Sequence, residues 1–193
     1  DLSSRTISEM AERAVAMARE APENPYAGLA DASELATDWD ADVLELFDPA
    51  PEPAPEALQQ DAAEAEAAAR AVEGISQIDA SSAGYSAYDI HMAGSNGFSG
   101  GYRRSSRGLS CVAIAGSGTQ MERDYDSDSR VFQSDLRSAA EIGRTAAERT
   151  LLRRDPRKPP TGTYPVLFDE RIAASLIGHL LGAVNGSAIT RGA

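Results

Sequence analysis

The chain has 193 residues, enough for one ordinary domain or one and a half, and for a real hydrophobic core. Its formal net charge of -12 excludes a basic phosphate-binding surface and tells against docking on an anionic membrane. Residues 1–75 hold 18 acidic and 4 basic side chains, leaving 12 and 14 for the remainder, so the acid forms a solvated face of the front half.

The single cysteine, Cys111, excludes an internal disulfide and fits a reducing compartment. It lies in the run Leu109–Ala115 and reads as a buried strand residue rather than a nucleophile. The sequence has no signal peptide and no apolar run of about 18 residues or more, so the expectation is a cytoplasmic protein without a membrane partner.

In chain order, residues 3–20 predict a helix with Ser or Thr caps near its start and Ile7, Met10, Ala14, Met17 and Ala18 on one face. Pro22 and Pro25 follow it. Residues 27–40 are less periodic and hold the only tryptophan, Trp39, expected to serve packing. Val43–Asp48 is expected as a short strand or an irregular edge segment. Pro49–Pro55 is a proline-rich connector; its PxxP-like spacing also suits an SH3-type ligand, but a stiff loop is the simpler reading. Residues 56–72 have the alanine-rich composition of a strong helix, with Glu64, Glu66 and Arg70 outside.

From Ile75 the pattern turns to strands. Ile75–Asp79 and Ala87–Met92 are expected as two strands joined by a turn at Ser81-Ser82-Ala83-Gly84, with a second turn at Gly94-Ser95-Asn96-Gly97. Longer alternating segments, Tyr102–Ala115 and Thr119–Tyr125, flank Gly116-Ser117-Gly118. The glycine-rich stretch 94–101 lacks the Gly-Lys-Ser/Thr and the following helix of a phosphate loop. Asp124, Asp126 and Asp128 alternate as in a calcium loop without its glycine or distal glutamate, and Ser127-Asp128-Ser129 reads as a turn or cap. Glu122 and Asp124 are expected to pair with Arg103, Arg104 or Arg107 across the hairpin.

A helix over 135–154 turns Leu136, Ala140, Ile142, Ala146, Ala147 and Leu151 inward and ends in basic residues. Arg153–Lys158 reads as a basic helix end and exposed linker. After Pro159-Pro160 comes a loop, then a short strand around Tyr164, Val166 and Leu167. A helix capped by Asp169 follows, with Ile172, Leu176, Leu180 and Val184 on one face. It carries His179, one of two histidines in the chain, expected as a partly buried, hydrogen-bonded helix residue.

The pattern is an α+β fold with an antiparallel-rich sheet and flanking helices. Residues 1–160 read as one domain, incomplete at its start, and 161–193 as the beginning of a second; both ends look cut.

Thr161–Gly186, taken with Gly94-Ser95-Asn96-Gly97-Phe98 and Glu122–Asp126, resembles the TldD/PmbA family, once described as modulators of DNA gyrase, and its PmbA (TldE) branch most. Members are typically more than twice this long, so the resemblance covers most of this chain but only the middle of a full member. In the TldD branch the helix equivalent to 169–184 bears a His-Glu-x-x-x-His zinc motif. Aligned on the small residues, its three positions fall on Gly178, His179 and Ala183. Glycine and alanine offer no ligand atom, and catalytic zinc needs about three protein ligands and an open water position.

The resemblance therefore implies a subunit with no catalytic or metal residues in this chain and no cofactor of its own. Zinc is expected in a TldD-like catalytic partner, with which this subunit encloses a cleft where unfolded peptides, such as antitoxin or peptide-antibiotic precursors, are cut. Direct contact with nucleic acid is not expected. Two alternatives stay open: a metallopeptidase in its own right with ligands beyond Ala193, and a gyrase-modulating protein-binding module without proteolysis.

Overall fold

The computed structural model describes residues 3–25, 27–37 and 40–192; Trp39 lies outside them. The chain divides into two compact units between Asp155 and Pro156. The first is an α+β unit built on a three-stranded antiparallel sheet, β1 (Ile75–Ala93), β2 (Ser99–Ala115) and β3 (Glu122–Arg130), in the order β1-β2-β3.

Three helices precede and follow these strands in the first unit. Helix α1 (Ser4–Glu20) starts where expected, with Ser3 Oγ accepting from Thr6 N–H, but none of its residues is buried. Ile7, Met10 and Met17 are exposed, so its apolar face is formed and uncovered. Helix α2 (Pro55–Arg70) has Pro55 in its first turn, where the missing N–H costs nothing. Helix α3 (Ala139–Leu152) begins later than expected: Ser138 is its N-cap, accepting from Glu141 N–H, and Leu136 stands ahead of it.

Both α2 and α3 pack on one face of the sheet. Ala65 and Ala69 of α2, Ala139, Ile142, Ala146 and Ala147 of α3, and Leu109, Cys111 and Ala113 of β2 form the buried core. The core is built of small residues because the helices touch each other closely. A Cβ at Gly143 would stand 2.0 Å from the Ala65 carbonyl oxygen, so only glycine lets α3 meet α2 there. Thr150 pins α3 to the sheet: its Oγ1 accepts from Asp124 N–H at 3.2 Å and lies 3.2 Å from Ala113 O and 2.8 Å from Ala146 O.

The sheet differs from its sequence pattern in one large way. Ser81-Ser82-Ala83-Gly84 is not a turn; β1 runs straight through it in unbroken register from Ala80↔Val112 to Ala93↔Ser99. Serine and glycine here are strand residues facing small partners, with Ser82 opposite Ser110 and Gly84 opposite Gly108. The real turn is at 94–98, where Gly97 has φ 95° and Gly94 N–H donates to Phe98 O. Ser127-Asp128-Ser129 likewise belongs to β3 rather than to a cap.

Because β3 ends at Arg130 opposite Arg107, the far half of the β1-β2 hairpin has no third strand. The segment 46–48 takes that place next to β2. Ser105 N–H donates to Leu46 O at 3.0 Å, and Asp48 N–H donates to Ser105 Oγ at 2.8 Å. Val43–Asp48 is thus an irregular edge segment, opened by a single 3-10 turn at Asp42–Leu44. Asp48, 5% exposed, accepts from Ala50 N–H and Gln133 N–H, both at 2.8 Å, and so ties the connector to the loop after β3.

The expected pairing of Glu122 and Asp124 with Arg103, Arg104 or Arg107 does not occur. Register places Glu122 opposite Ala115, while residues 103 and 104 lie beyond the end of β3. Asp124, Asp126 and Asp128 instead face α3 and the segment before it. Arg153 Nε donates to Asp124 at 2.7 Å, and Arg149 and Arg137 both reach Asp126. Arg107 pairs with Asp61 of α2, and Arg103 pairs with Asp89 while stacking 3.6 Å over the centre of the Phe47 ring.

The second unit holds helices α4 (Glu170–Ala183) and α5 (Gly186–Arg191). Asp169 caps α4 as expected, accepting from Arg171 N–H. The short strand around Tyr164, Val166 and Leu167 is absent, because those exposed residues have no strand beside them to pair with. The apolar face of α4 forms, yet Ile172, Leu176, Leu180 and Val184 are all exposed.

Two outcomes check these packing arguments. Glycine to alanine normally favours a helix interior by about 1 kcal/mol, but at Gly143 the Ala65 carbonyl opposes it. We expect Gly143→Ala to be net destabilising by about 1–3 kcal/mol, seen as a lower midpoint in thermal denaturation. The Gln133 and Ala50 N–H groups hold the Asp48 carboxyl below its ordinary value of 3.8, against the opposing effect of burial. Burial alone would raise Asp128, but the Arg137 N–H and the Arg130 and Arg137 guanidinium groups together outweigh it and hold Asp128 low as well. With folded values below unfolded ones, the unfolded chain takes up protons first as pH falls. Stability is therefore expected to be level above the ordinary carboxylate range and to drop as pH passes below 3.8 toward the folded values. Asp48→Asn should flatten that acid limb and lower stability at neutral pH, measured by urea denaturation across pH.

Candidate functional site

Gly178, His179 and Ala183 all lie on α4, in the second unit. A side chain added at Gly178 would meet open space, and Ala183 presents only a methyl group. His179 is exposed rather than partly buried, with no hydrogen-bond partner among the described residues. These three positions do not fit a zinc ion: one imidazole is present where three ligands are needed. Among the described residues, no group of three or more His, Cys, Asp or Glu side chains is placed to hold a metal.

A nucleophile also lacks its support. His91 Nε2 lies 3.2 Å from Ser99 Oγ near the hairpin tip, which is a serine–histidine contact. Both side chains are exposed, and among the described residues no carboxylate orients the imidazole from behind as an activated nucleophile requires. Cys111 is fully buried against Ala65; burial first, and then the charge of Glu66, push its thiol up. A protonated, buried thiol is inert.

The acidic run Glu122–Asp126 is architectural. Its inward carboxylates are neutralised by arginines of α3 and of the segment ahead of it, and this satisfies the strand and helix at once. Arg153, at the basic helix end the sequence predicts, is one of those partners.

The surface that sequence reasoning missed is the face of the sheet turned away from α2 and α3. Even-numbered residues of β1 from Ala80 onward and of β2, and odd-numbered ones of β3, project there, giving rows Ser82-Ser110-Ser127, Gly84-Gly108-Ser129 and Ser86-Ser106. They floor a shallow trough of about 480 Å3. Ser82 and Ser110 hydroxyls are 2.9 Å apart, as are those of Ser106 and Ser129. Exposed Tyr88 and Tyr102 stand at one end of the trough and exposed Tyr125 at the other. Chemically this face offers hydroxyl donors and acceptors, aromatic ends and little side-chain bulk, so a partner's backbone can approach closely. The period-2 recurrence of serine and glycine was the signal for it, hidden because those residues also signal turns.

Comparison with known proteins agrees with this architecture. Residues 48–154 match the PmbA/TldA metallopeptidase central domain. The chain is 36% identical over 192 residues to metalloprotease PmbA of Escherichia coli O157:H7, covering 99% of this chain and 42% of that protein. It is 31% identical over 194 residues to the metalloprotease PmbA homolog of Haemophilus influenzae, with the same two coverages. The chain thus spans about two fifths of the length of these curated relatives. Among solved structures, a candidate modulator of DNA gyrase from Bacteroides thetaiotaomicron superposes with a TM-score of 0.84 at 26% identity, covering 98% of this chain and 44% of that one. TldE from Thermococcus kodakarensis shares the fold at a TM-score of 0.54 and 18% identity, covering 77% of this chain and 33% of that one. On its sequence match and its fold, the chain belongs to the TldD/PmbA metallopeptidase family, with residues 48–154 corresponding to the family's central domain.

Proposed function

We propose that this chain is part of a PmbA/TldE-like, metal-free partner subunit of a zinc metallopeptidase that degrades unfolded peptides, with the zinc supplied by a TldD-like catalytic subunit. The observation that carries the reading is the composition of α4, where Gly178 and Ala183 leave His179 as a lone, exposed imidazole. Similarity to PmbA and the fold shared with a protein named TldE support the assignment to that branch. Among the described residues no helix is long and apolar enough to cross a membrane. Location in the cytoplasm is part of this proposal, as is the absence of direct nucleic-acid contact; the net charge of -12 supports the latter.

A second reading has an observation in its favour, since the curated relatives are themselves named metalloproteases. In that reading the intact protein cleaves peptide alone, through ligands outside this chain. A role in modulating gyrase by protein contact is the third, and rests on the name of a solved relative.

Zinc content and cleavage of an unfolded peptide by the intact protein, alone and mixed with a TldD-like subunit, separate these readings. We expect stoichiometric zinc and cleavage only in the mixture, with both unchanged by His179→Ala. Stoichiometric zinc and turnover by the isolated protein would overturn the partner-subunit reading in favour of the second. A gyrase pull-down in zinc-free buffer, with no cleavage by the mixture, would favour the third.

A further inference from the structure

The turn that joins β1 to β2 holds Asn96 followed by Gly97, a pair in which the backbone nitrogen of the second residue readily attacks the side-chain amide of the first. Glycine has no Cβ to hinder that approach and gives the backbone its widest freedom. The reaction asks two things of the fold. The Gly97 nitrogen must be free to lose its proton, and the Asn96 amide must be free to turn toward it.

Neither group is free here. Asn96 Oδ1 accepts from Phe98 N–H at 3.3 Å, and Asn96 Nδ2 donates to Ala30 O at 3.0 Å. Gly97 N–H donates to Gly94 O at 3.1 Å, in a turn that Gly94 N–H closes on Phe98 O at 2.9 Å. The amide also lies close over Gly94: a Cβ at that residue would stand 2.6 Å from Asn96 Oδ1. Gly97, at φ 95°, needs glycine for its backbone, whereas Gly94 makes room for the seat of the amide. All of these groups belong to the first unit, so the seat is built wholly by this chain.

We propose that Asn96-Gly97 is a site of spontaneous covalent modification, guarded by this seat, and that its conversion releases the hairpin tip from the segment around Ala30. When the amide leaves the seat, the Gly97 nitrogen bonds to Asn96 Cγ and the Cγ–Nδ2 bond breaks. The proton given up by Gly97 departs with Nδ2 as ammonia, leaving a cyclic imide. Water then opens the imide at either carbonyl, giving aspartate, or isoaspartate in which the main chain runs through the side chain. Either product puts a carboxylate where Nδ2 stood, and a carboxylate has no hydrogen to donate to Ala30 O. Two acceptors then face each other where a donor met an acceptor, and isoaspartate adds a carbon to the backbone of the turn. Because ammonia is lost, the tip does not return to its first state. The inference stands on the hairpin tip and does not rest on the zinc-partner reading.

Peptide mapping by mass spectrometry of the intact protein aged at mildly alkaline pH, with enzymatic methylation to mark isoaspartate, follows the reaction. In urea both Asn-Gly steps of the chain, Asn96-Gly97 and Asn185-Gly186, lose their surroundings and set the unguarded rate. In the folded protein we expect Asn96 to react at least about tenfold more slowly, the effect of the hydrogen bonds that must open first. Gly94→Ala keeps the Asn-Gly pair and displaces only the end of a flexible side chain, so it should fold with an unchanged circular-dichroism spectrum. It should speed the loss of the Asn96 amide by about tenfold, with isoaspartate found at that position. Asn96→Asp, which supplies one product directly, should quicken amide hydrogen exchange over residues 28–35. Folded wild-type protein that loses the Asn96 amide as fast as in urea overturns the proposal, as does a folded Gly94→Ala variant no faster than wild type. Unchanged exchange over 28–35 in Asn96→Asp overturns the release of the tip, and does so even where Gly94→Ala fails to fold.

Discussion

The close approach of α2 and α3 at Ala65 and Gly143 is the constraint on which the first unit depends. Two helices in backbone contact make a narrow layer, and a narrow layer covers only the near half of a long hairpin. Small residues at Ala69, Ala146 and Ala147 repeat that economy of volume along the helices, while Ile142 is the largest fully buried side chain among the described residues. Hydrophobic burial here comes from many small contacts at native density rather than from a few bulky side chains. Beyond the helices the chain is held by the Leu46 and Asp48 contacts to Ser105 and the Arg103–Phe47 stack, while the Asp–Arg pairs tie β3 to α3 itself.

Those polar ties explain how the two faces of one sheet come to differ. The inner face carries carboxylates that would be costly to bury alone and are matched by arginines of α3 and the segment ahead of it. The outer face needs no such matching, being hydroxyl and glycine with tyrosines at its ends. The same Asp124 and Asp128 that meet the arginines also cap the outward N–H groups of β3, so one set of side chains serves both packing and edge protection.

Much of this was legible in the sequence. Alanine-rich composition and apolar periodicity placed α2 and α3 to within a few residues, glycine punctuation placed the hairpin tip and the β2-β3 loop, and the TldD/PmbA resemblance set the family. What could not be read shares a physical cause. Serine and glycine at 81–84 have the composition of a turn, and only pairing with an equally small stretch of β2 makes them strand. The alternation of Asp124, Asp126 and Asp128 showed that they share a face, but which face, and hence which arginines, follows from a register fixed by tertiary packing. The need for glycine at 143 has no local signature, because its reason lies on another helix, 78 positions away at Ala65. On α4 the apolar stripe was legible in the sequence, while the exposure of His179 depended on surroundings the stripe could not reveal.

The one thiol of the chain has a consequence for its chemical durability. Cys111 is sealed between β2 and α2 and is kept protonated by burial and by the neighbouring charge of Glu66. Peroxides and disulfides act on exposed thiolates, so the folded first unit offers them no reactive sulfur. Oxidation of this chain at cysteine is thereby tied to opening of the α2-α3 layer: a molecule that unfolds long enough to be oxidised acquires a polar group at the centre of its core and does not refold as it was, so damage selects the copies already lost.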